Sequence, residues 1–251
     1  MSNIVIVGAN RGIGFHMTQS LLEQGNRVAV LDIRTEQIEQ LRDRYPNALT
    51  VLFADAAEDA SVADAVEKAY RALGSVDIAV YNACLCTFES EEDTDIAVYR
   101  RVMNVNYFGA LRLAKAVLPH MRAQRSGRLI FTSSGVGVTG FLNISPYASS
   151  KGAMESLAKC LEIENAKYGI SVHIFHPPLT DTESAAGLPI PKEFKTDAQK
   201  VGYGLAKHIR SKRFVICPTI PQSISMALCY RYPLLFGKLM AKATARQAEK
   251  A

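Results

Sequence analysis

A tyrosine and a lysine four residues apart have the clearest chemical potential in this sequence. Tyr147 and Lys151 enclose the segment Tyr-Ala-Ser-Ser-Lys, which follows Pro146 at the predicted start of a helix. A spacing of four places both side chains on one helical face. A nearby ammonium favours the phenolate, so we expect the pKa of Tyr147 to fall from about 10 toward neutrality. Such a phenol can exchange a proton with a carbonyl or alcohol oxygen.

A serine upstream of this pair is the third candidate. Ser134 is the second residue of the pair Ser133-Ser134, which ends the predicted strand 128–131. A hydroxyl at that edge of a sheet can hydrogen-bond a reacting oxygen and stabilise its developing charge. Ordinary local structure is the alternative, because serines often end strands and a Tyr–Lys pair at this spacing is common. These three residues alone leave both explanations open.

A glycine-rich turn after the first predicted strand is suited to holding a phosphate. The turn is Gly8-Ala9-Asn10-Arg11-Gly12-Ile13-Gly14, and a helical pattern follows it. Glycines allow close approach of a pyrophosphate, and the N–H groups of a helix N-terminus attract its charge. Asp32 ends the second strand, at the distance expected of an acid that binds a ribose diol. The alternative is a tight turn that needs glycine for packing.

The acid after the second strand favours one nicotinamide cofactor. The carboxylate of Asp32 would repel the 2′-phosphate of NADP(H), so NAD(H) is the preferred cofactor. Arg11 and Arg34 lie close enough in sequence to reach such a phosphate, and NADP(H) therefore stays an alternative. A solvated surface position explains either arginine equally well.

Buried strands alternate with helices along the chain. The predicted strands are 3–7, 28–31, 50–53, 78–80, 129–131 and 172–175, and segments such as 62–73 and 97–124 have helical periodicity. This alternation predicts an α/β fold: a doubly wound parallel sheet with helices on both faces. Ligands of such sheets bind beyond the carboxyl ends of the strands. With no linker or repeat, we expect residues 1–251 to form one domain that binds a dinucleotide and carries the catalytic groups.

The bulk composition excludes several classes of protein. The net charge of +5 is dispersed, and no basic run with interleaved aromatics indicates nucleic-acid binding. The five cysteines have neither a disulfide framework nor a metal-site spacing, so we expect no metal. The N-terminus reads as a strand rather than a signal segment, and prolines interrupt the apolar stretch 214–230. A cytoplasmic location is the resulting expectation.

Together these motifs resemble the classical short-chain dehydrogenase/reductase family, over nearly the whole chain to about residue 217. Gly8-x-x-x-Gly12-x-Gly14 matches the cofactor turn of that family, and Tyr147-x-x-x-Lys151 matches its catalytic pair. Ser134 lies at the usual distance before the tyrosine. The resemblance adds Asn106, from Asn-Val-Asn-Tyr-Phe-Gly, as the residue that completes a catalytic tetrad and holds a water for proton transfer. It also implies a Rossmann-like fold and a homodimer or homotetramer.

Further cofactor-binding positions follow from the resemblance one by one. Asp55 and Ala56, after the third strand, match the position that contacts the adenine ring. Asn82-Ala83 matches the core of an Asn-Asn-Ala-Gly segment beside the cofactor. The stretch that binds the nicotinamide carboxamide is matched by Pro177, Leu179 and Thr182.

Four positions depart from the family pattern. Val7 replaces a threonine, Tyr81 and Cys84 replace the outer residues of Asn-Asn-Ala-Gly, and Pro178 replaces a glycine. Losing the threonine and the asparagine removes hydrogen bonds, so we expect a looser turn. Pro178 lacks an N–H and fixes φ, which predicts a different loop shape beside the nicotinamide.

His176 and two cysteines lie near the predicted site without an assigned role. His176 ends the sixth strand, and we expect it to be satisfied by a backbone partner. Cys84 and Cys86 follow the fourth strand and are interpreted as small apolar packing residues.

Two regions bear on the substrate and on partners. Residues 183–200 fall where the family carries a mobile substrate loop, and with Phe141 and Leu142 their apolar content predicts a hydrophobic substrate. Residues 223–251 form an aliphatic, then basic tail. We expect an amphipathic helix that covers the substrate cleft or a subunit interface, with weak membrane-surface association as the alternative.

The resulting hypothesis is an NAD(P)-dependent oxidoreductase that transfers a hydride between nicotinamide and a carbonyl or secondary alcohol. Tyr147 is the acid/base, Lys151 lowers its pKa and holds the nicotinamide ribose, Ser134 polarises the substrate oxygen, and Asn106 positions the relay. The alternative is a non-catalytic cofactor sensor or scaffold on the same fold.

Overall fold

Strands and helices alternate in the order that the sequence predicts. The computed structural model describes residues 1–188, 190 and 192–248. Pro189 and Pro191 of the predicted substrate loop, and 249–251 of the predicted tail, lie outside the described residues. The elements are β1 (Asn3–Val7), α1 (Gly12–Glu23), β2 (Arg27–Asp32), β3 (Leu49–Phe53), α2 (Asp59–Leu73), β4 (Ile78–Tyr81), α3 (Ile96–Met103), α4 (Gly109–Gln124), β5 (Gly127–Thr132), α5 (Val136–Thr139), α6 (Ser145–Asn165), β6 (Ile170–Phe175), β7 (Thr180–Asp181), β8 (Thr196–Asp197), α7 (Ala198–Lys207), β9 (Val215–Ile216), α8 (Ile220–Arg231) and α9 (Pro233–Ala248).

Seven of these strands form one parallel sheet in the order β3-β2-β1-β4-β5-β6-β9. The register pairs Ile4 with Val28 on one side and with Ile78 on the other. The strand order reverses between β1 and β4, so the turns after these strands border a crevice at one edge of the sheet. The predicted fold class, a parallel sheet of Rossmann-like type with flanking helices, is confirmed.

Alternate residues of the strands are buried on opposite faces of the sheet. Val5 and Val7 of β1 face a cluster that includes the buried sides of α2, α4 and α6. Ile4 and Ile6 of the same strand face α1, α7 and the turn around Ile38. Because both faces are covered, the strands read in sequence as continuous apolar runs rather than as alternating ones.

The helix predicted over 97–124 is interrupted. Residues Asn104–Phe108 form a π-helical turn between α3 and α4. A π turn inserts one residue, which opens the regular hydrogen-bond ladder and often marks a functional position. The periodicity of the sequence does not reveal it, because apolar spacing on both sides remains helical.

The tail folds as two helices rather than one. The helices α8 and α9 meet at Tyr232 and Pro233. Proline is tolerated in the first turn of a helix but ends the preceding one, which explains the break. Both helices pack beside α5. None of the described helices combines the length and the apolar character needed to cross a bilayer.

Candidate active site

The predicted catalytic groups converge at the carboxyl end of β5. Ser134 follows that strand by two residues, and α6 presents Tyr147 and Lys151 toward it. The Nζ atom of Lys151 lies 5.5 Å from the centre of the Tyr147 ring. It donates a hydrogen bond to the carbonyl oxygen of Thr132 at 2.7 Å. The spacing in sequence thus places the phenol and the ammonium side by side.

The protonation of this pair differs from the sequence prediction. Burial raises the pKa of Tyr147 well above its usual value, Cys84 and Cys86 add to the rise, and a hydrogen bond with Ser134 opposes it. Burial also lowers the pKa of Lys151. The prediction of a phenol near neutrality was therefore wrong for this structure, because desolvation disfavours the charged phenolate. Tyr147 holds its proton at neutral pH.

Asn106 is completely buried in the π-helical turn. Its amide accepts a hydrogen bond from Leu85 N at 2.7 Å and donates to Leu85 O at 2.9 Å. A third hydrogen bond, at 2.8 Å, reaches the Oγ of Ser150, next to Lys151 in α6. Asn106 therefore joins the π turn, the segment after β4 and the helix that carries the catalytic pair.

Tyr81 makes a contact that the sequence did not reveal. It is fully buried, and its hydroxyl donates to the carbonyl oxygen of Val105 in the π turn. A Cβ added to Gly109 would lie 2.1 Å from that hydroxyl, so only glycine leaves room for it. The residue that departs from the family pattern thus ties β4 to the turn that holds Asn106.

The glycine-rich turn has the shape of a phosphate cradle. Gly8 and Gly12 have φ of +82° and +58°, which favour glycine. A Cβ on Gly8 would meet Ala83 N at 2.3 Å, and one on Gly14 would meet Gly8 O at 2.2 Å. No side chain caps α1 among the described hydrogen bonds, so the first N–H groups of that helix face the cradle. Ile13 anchors the turn against the core.

Asp32 is held by the backbone around it. One carboxylate oxygen accepts from Asn10 N at 2.8 Å and the other from Arg34 N at 3.0 Å. The Oδ1 of Asn10 in turn accepts from Gln37 N and Ile38 N. The turn after β1 and the loop after β2 are therefore fixed to each other, with the negative charge of Asp32 between them.

The two arginines of this region differ in their surroundings. The guanidinium of Arg11 forms an ion pair with Glu183, across from the glycine turn. Arg34 is exposed, and no described ion pair includes it. Arg11 thus contacts an acid, whereas Arg34 faces solvent.

The remaining predicted cofactor positions flank the cradle. Ala83 lies against Gly8, and the amide of Asn82 donates to Gly8 O at 2.6 Å, so the turn is bonded to β4 despite the loss of the family residues. The carboxylate of Asp55 accepts from Ala57 N at 2.8 Å, and Ala56 is buried beside it. The loosening of the turn that the lost family residues imply stays a prediction.

The segment after β6 crosses in front of α1. Thr182 lies 3.2 Å from the position of a Cβ on Gly12. Leu179, two residues after Pro177, accepts a hydrogen bond from Thr196 N at 2.8 Å. The oxygen of Pro178 accepts from Thr180 Oγ1 at 2.7 Å. The short strands β7 and β8 pair here and clamp the base of the predicted substrate loop.

A buried polar cluster behind the catalytic pair was missed. Glu155 accepts from Ser133 Oγ at 2.6 Å and from Tyr230 Oη at 2.7 Å. The Nε2 of His176 lies 3.0 Å from Glu155 and 2.9 Å from Tyr230 Oη. The expected backbone partner of His176 was wrong, since both its partners are side chains. Residues 147, 151 and 155 share a spacing of four, a signal that places Glu155 on the catalytic face of α6.

Burial and hydrogen bonding compete at Glu155. Burial alone would raise the pKa of Glu155. The hydrogen bond and charge of His176, together with the hydrogen bonds from Ser133 and Tyr230, outweigh the effect of burial and hold this pKa below its usual value. Glu155 is therefore a buried carboxylate, one helical turn from Lys151.

Cys86, near the site, is a weak nucleophile. Burial is the main cause that raises the pKa of Cys86 to about 12, so its thiol stays protonated at neutral pH. Nowhere in the described part of the chain do three metal-ligating side chains cluster. The chemistry available at this site is proton transfer by Tyr147 with Lys151 and Ser134 beside it.

Comparison with known proteins identifies relatives of this chain. A model of the short chain dehydrogenase family matches residues 2–191. A 3-ketodihydrosphingosine reductase of Bos taurus is 28% identical over 193 residues, which cover 74% of this chain and 58% of the reductase. The vibriobactin-specific 2,3-dihydro-2,3-dihydroxybenzoate dehydrogenase of Vibrio cholerae is 31% identical over 185 residues, covering 72% and 71%.

A solved structure agrees with the fold. A gluconate 5-dehydrogenase from Burkholderia cenocepacia, in complex with NADP and tartrate, is 25% identical and has a TM-score of 0.76. The match covers 85% of this chain and 92% of that one. Since the family model matches residues 2–191, well over half of the sequence, this chain belongs to the short-chain dehydrogenase family.

Proposed function

We propose that this protein is an NAD(P)-dependent oxidoreductase that transfers a hydride between nicotinamide and a carbonyl or secondary alcohol. The observation that carries the proposal is the juxtaposition of Tyr147, Lys151 and Ser134 at one strand end, beside the glycine cradle. A binding-only protein has no need of an acid and a cation buried together, since both incur a desolvation cost.

Proton transfer is the task of the protein itself. Tyr147 keeps its proton at neutral pH, the state needed to protonate a carbonyl oxygen during reduction. Ser134 stabilises the same oxygen by hydrogen bonding. Lys151 lies beside the ring of Tyr147 and favours the phenolate that remains after transfer. Asn106 positions the relay by fixing the π turn to α6.

The cofactor, when bound, supplies the hydride, and no metal is needed for that step. We assign its pyrophosphate to Gly8, Gly12, Ile13 and Gly14. The adenosine half is assigned to Asp32, Asp55 and Ala56, with Asn10, Arg11 and Arg34 at its edge. Beside the nicotinamide half we place Asn82, Ala83, Pro177, Leu179 and Thr182, with Tyr147 and Lys151 at its ribose.

NAD(H) is the proposed preference because the carboxylate of Asp32, held by the backbone N–H groups of Asn10 and Arg34, would repel the 2′-phosphate of NADP(H). The ion pair with Glu183 weakens the attraction of Arg11 for such a phosphate. Titration of wild type and Asp32→Ala with NADH and NADPH tests this preference. We expect the NADH preference to fall about tenfold or more in the variant, a difference of about 1.4 kcal/mol. A wild type that binds NADPH more tightly would contradict it.

The substrate is proposed to be a small hydrophobic ketone or alcohol. Leu142, in the segment between Ser134 and Tyr147, and Phe194, within the predicted substrate loop, are exposed apolar residues. Phe88 packs against Gly187 in the substrate loop. The name of the bovine relative, a reductase of a keto sphingoid base, agrees with an apolar substrate. We further propose a homodimer or homotetramer, on the family resemblance.

Replacing Tyr147 with phenylalanine tests the proposed chemistry. The variant keeps the ring but loses the proton donor, so we expect turnover to fall about 10²- to 10⁴-fold with NADH affinity unchanged. Tyr203→Phe, in α7, is the matched control and should turn over normally. Full activity in Tyr147→Phe would contradict the mechanism. Tight cofactor binding without turnover of any ketone in a broad panel would instead support the non-catalytic sensor or scaffold.

A further inference from the structure

The outer faces of α8 and α9 are unusually apolar for a surface. We call this region the tail surface and define it by six exposed side chains: Ile220, Ile224, Leu228, Leu234, Leu235 and Leu239. Each is between 42% and 77% exposed. The first three are spaced by four residues and form one stripe along α8, and Leu235 and Leu239 repeat that spacing on α9. Scattered apolar residues are normal on a protein surface, but a contiguous stripe marks an interaction site.

The stripe is accompanied by positive charge. Residues 198–248 contain nine basic residues and no acidic one, whereas residues 1–197 contain 19 basic and 23 acidic residues. Arg231, Lys238 and Lys242 are exposed on the two helices that carry the stripe. Apolar and basic residues side by side on a helix are typical of segments that lie in the interface of an anionic membrane.

The tail surface is close to the catalytic groups. Helix α9 packs on α5, which begins two residues after Ser134. A Cβ on Gly237 would meet the carbonyl oxygen of Thr139 at 2.5 Å, so this contact is close. Tyr230 of α8 donates a hydrogen bond to Glu155, on the same helix as Tyr147. A membrane held by these helices would therefore lie beside the entrance to the site.

Charge argues against a second copy as the occupant of this surface. A two-fold dimer places the same patch on both subunits, so the basic residues of α8 and α9 would face one another, and residues 220–248 contain no acid to pair them. Anionic headgroups offer complementary charge instead. No described helix is long and apolar enough to span a bilayer, so the contact considered is one in which α8 and α9 lie on the membrane surface.

We propose that α8 and α9 dock the protein on an anionic membrane surface, so that an apolar ketone dissolved in the lipid reaches the catalytic site directly. The docking stands on the tail surface itself, and the lipid-dissolved substrate rests on the proposed function. Binding combines burial of the leucine and isoleucine side chains with attraction of the lysines to lipid phosphate.

Sedimentation with vesicles tests the docking. We expect wild type to bind vesicles of phosphatidylcholine with phosphatidylglycerol, and to bind phosphatidylcholine alone much more weakly. Raising the salt from about 0.1 M to about 1 M shortens the screening length about threefold and should release the protein. Absence of binding to the anionic vesicles at low salt overturns the proposal.

Two double variants separate the apolar and the electrostatic contributions. Leu235→Ser with Leu239→Ser, and Lys238→Glu with Lys242→Glu, should each weaken vesicle binding at least about tenfold. Controls are Arg71→Glu with Lys115→Glu, an equal charge change on exposed positions of α2 and α4, and Ile96→Ser on α3. Tail variants that bind as wild type does, or controls that lose binding equally, contradict the proposal.

Activity and mass measurements distinguish the remaining outcomes. NADH affinity and turnover of a water-soluble ketone should be unchanged in the tail variants, while turnover of a long-chain ketone presented in vesicles should fall. Vesicle binding without any turnover would refute the proposed function and leave the docking intact. Conversion of a dimer to a monomer by Leu235→Ser with Leu239→Ser, without vesicle binding by wild type, assigns the surface to a second copy.

Discussion

Removing the charge of Glu155 should weaken the link between the catalytic helix and the tail. The carboxylate receives hydrogen bonds from Ser133 and Tyr230 and lies 3.0 Å from His176 Nε2. Glu155→Gln keeps the shape of the side chain but replaces one acceptor oxygen with an NH₂ group. At least one of the surrounding donors then faces another donor in a site without solvent.

The size of the effect follows from the number of bonds lost. Hydrogen bonds to a charged group contribute about 1.5–3 kcal/mol each, and the amide keeps some of them. We therefore expect the free energy of unfolding to fall by about 2–4 kcal/mol, which lowers the Tm by about 10 °C in a chain of this length. Tyr230→Phe, which removes a single donor, should cost about half as much.

Thermal unfolding followed by circular dichroism measures this difference. Glu164→Gln, an exposed acid on the same helix, is the matched control and should unfold at the wild-type temperature. Because the folded pKa of Glu155 is depressed, its contribution is present above the pKa of the unfolded chain, about 4.3, and is lost as the pH falls through the folded value. The gap between wild type and Glu155→Gln should therefore narrow in acid. Equal Tm values for the two Gln variants at neutral pH would refute this reasoning.

Two other substitutions test the frame of the site. Tyr81→Phe loses the hydrogen bond to Val105, so the free energy of unfolding measured by urea titration should fall by about 1–2 kcal/mol. The same variant should have a reduced kcat with little change in NADH affinity. An unchanged kcat would show that the π turn does not depend on the Tyr81 hydroxyl. Gly14→Ala places a Cβ 2.2 Å from Gly8 O, and fluorescence titration should show NADH affinity reduced at least about tenfold. Gly135→Ala, whose Cβ meets only Met226 Sδ at 3.7 Å, is its control, and equal losses in both would contradict the cradle.

The parts of the fold that depend on local pattern could be predicted from the sequence. Doubly buried strands appear as apolar runs, and Gly14 is required by a contact with Gly8 in the same turn. The spacing of Tyr147 and Lys151 fixes their common face because a helix has one period. In each case the determining contact joins residues close in sequence, or the determining pattern recurs along a helix or strand.

Features that depend on distant contacts could not be predicted. The hydroxyl of Tyr81 reaches a residue 24 positions away, and Tyr230 reaches Glu155 across 75 positions. The pKa of Tyr147 was wrongly predicted for the same reason, since burial in the fold raises it and Cys84 and Cys86, distant in sequence, add to the rise. The prediction of a single tail helix was wrong because Pro233 begins a second helix.

The ion pair between Arg11 and Glu183 connects the glycine-rich turn to the base of the substrate loop. Under the proposed cofactor assignment, a phosphate that approached Arg11 would compete with the carboxylate of Glu183 for the same guanidinium. The affinity of Arg11 for such a phosphate would then depend on an acid 172 residues further along the chain.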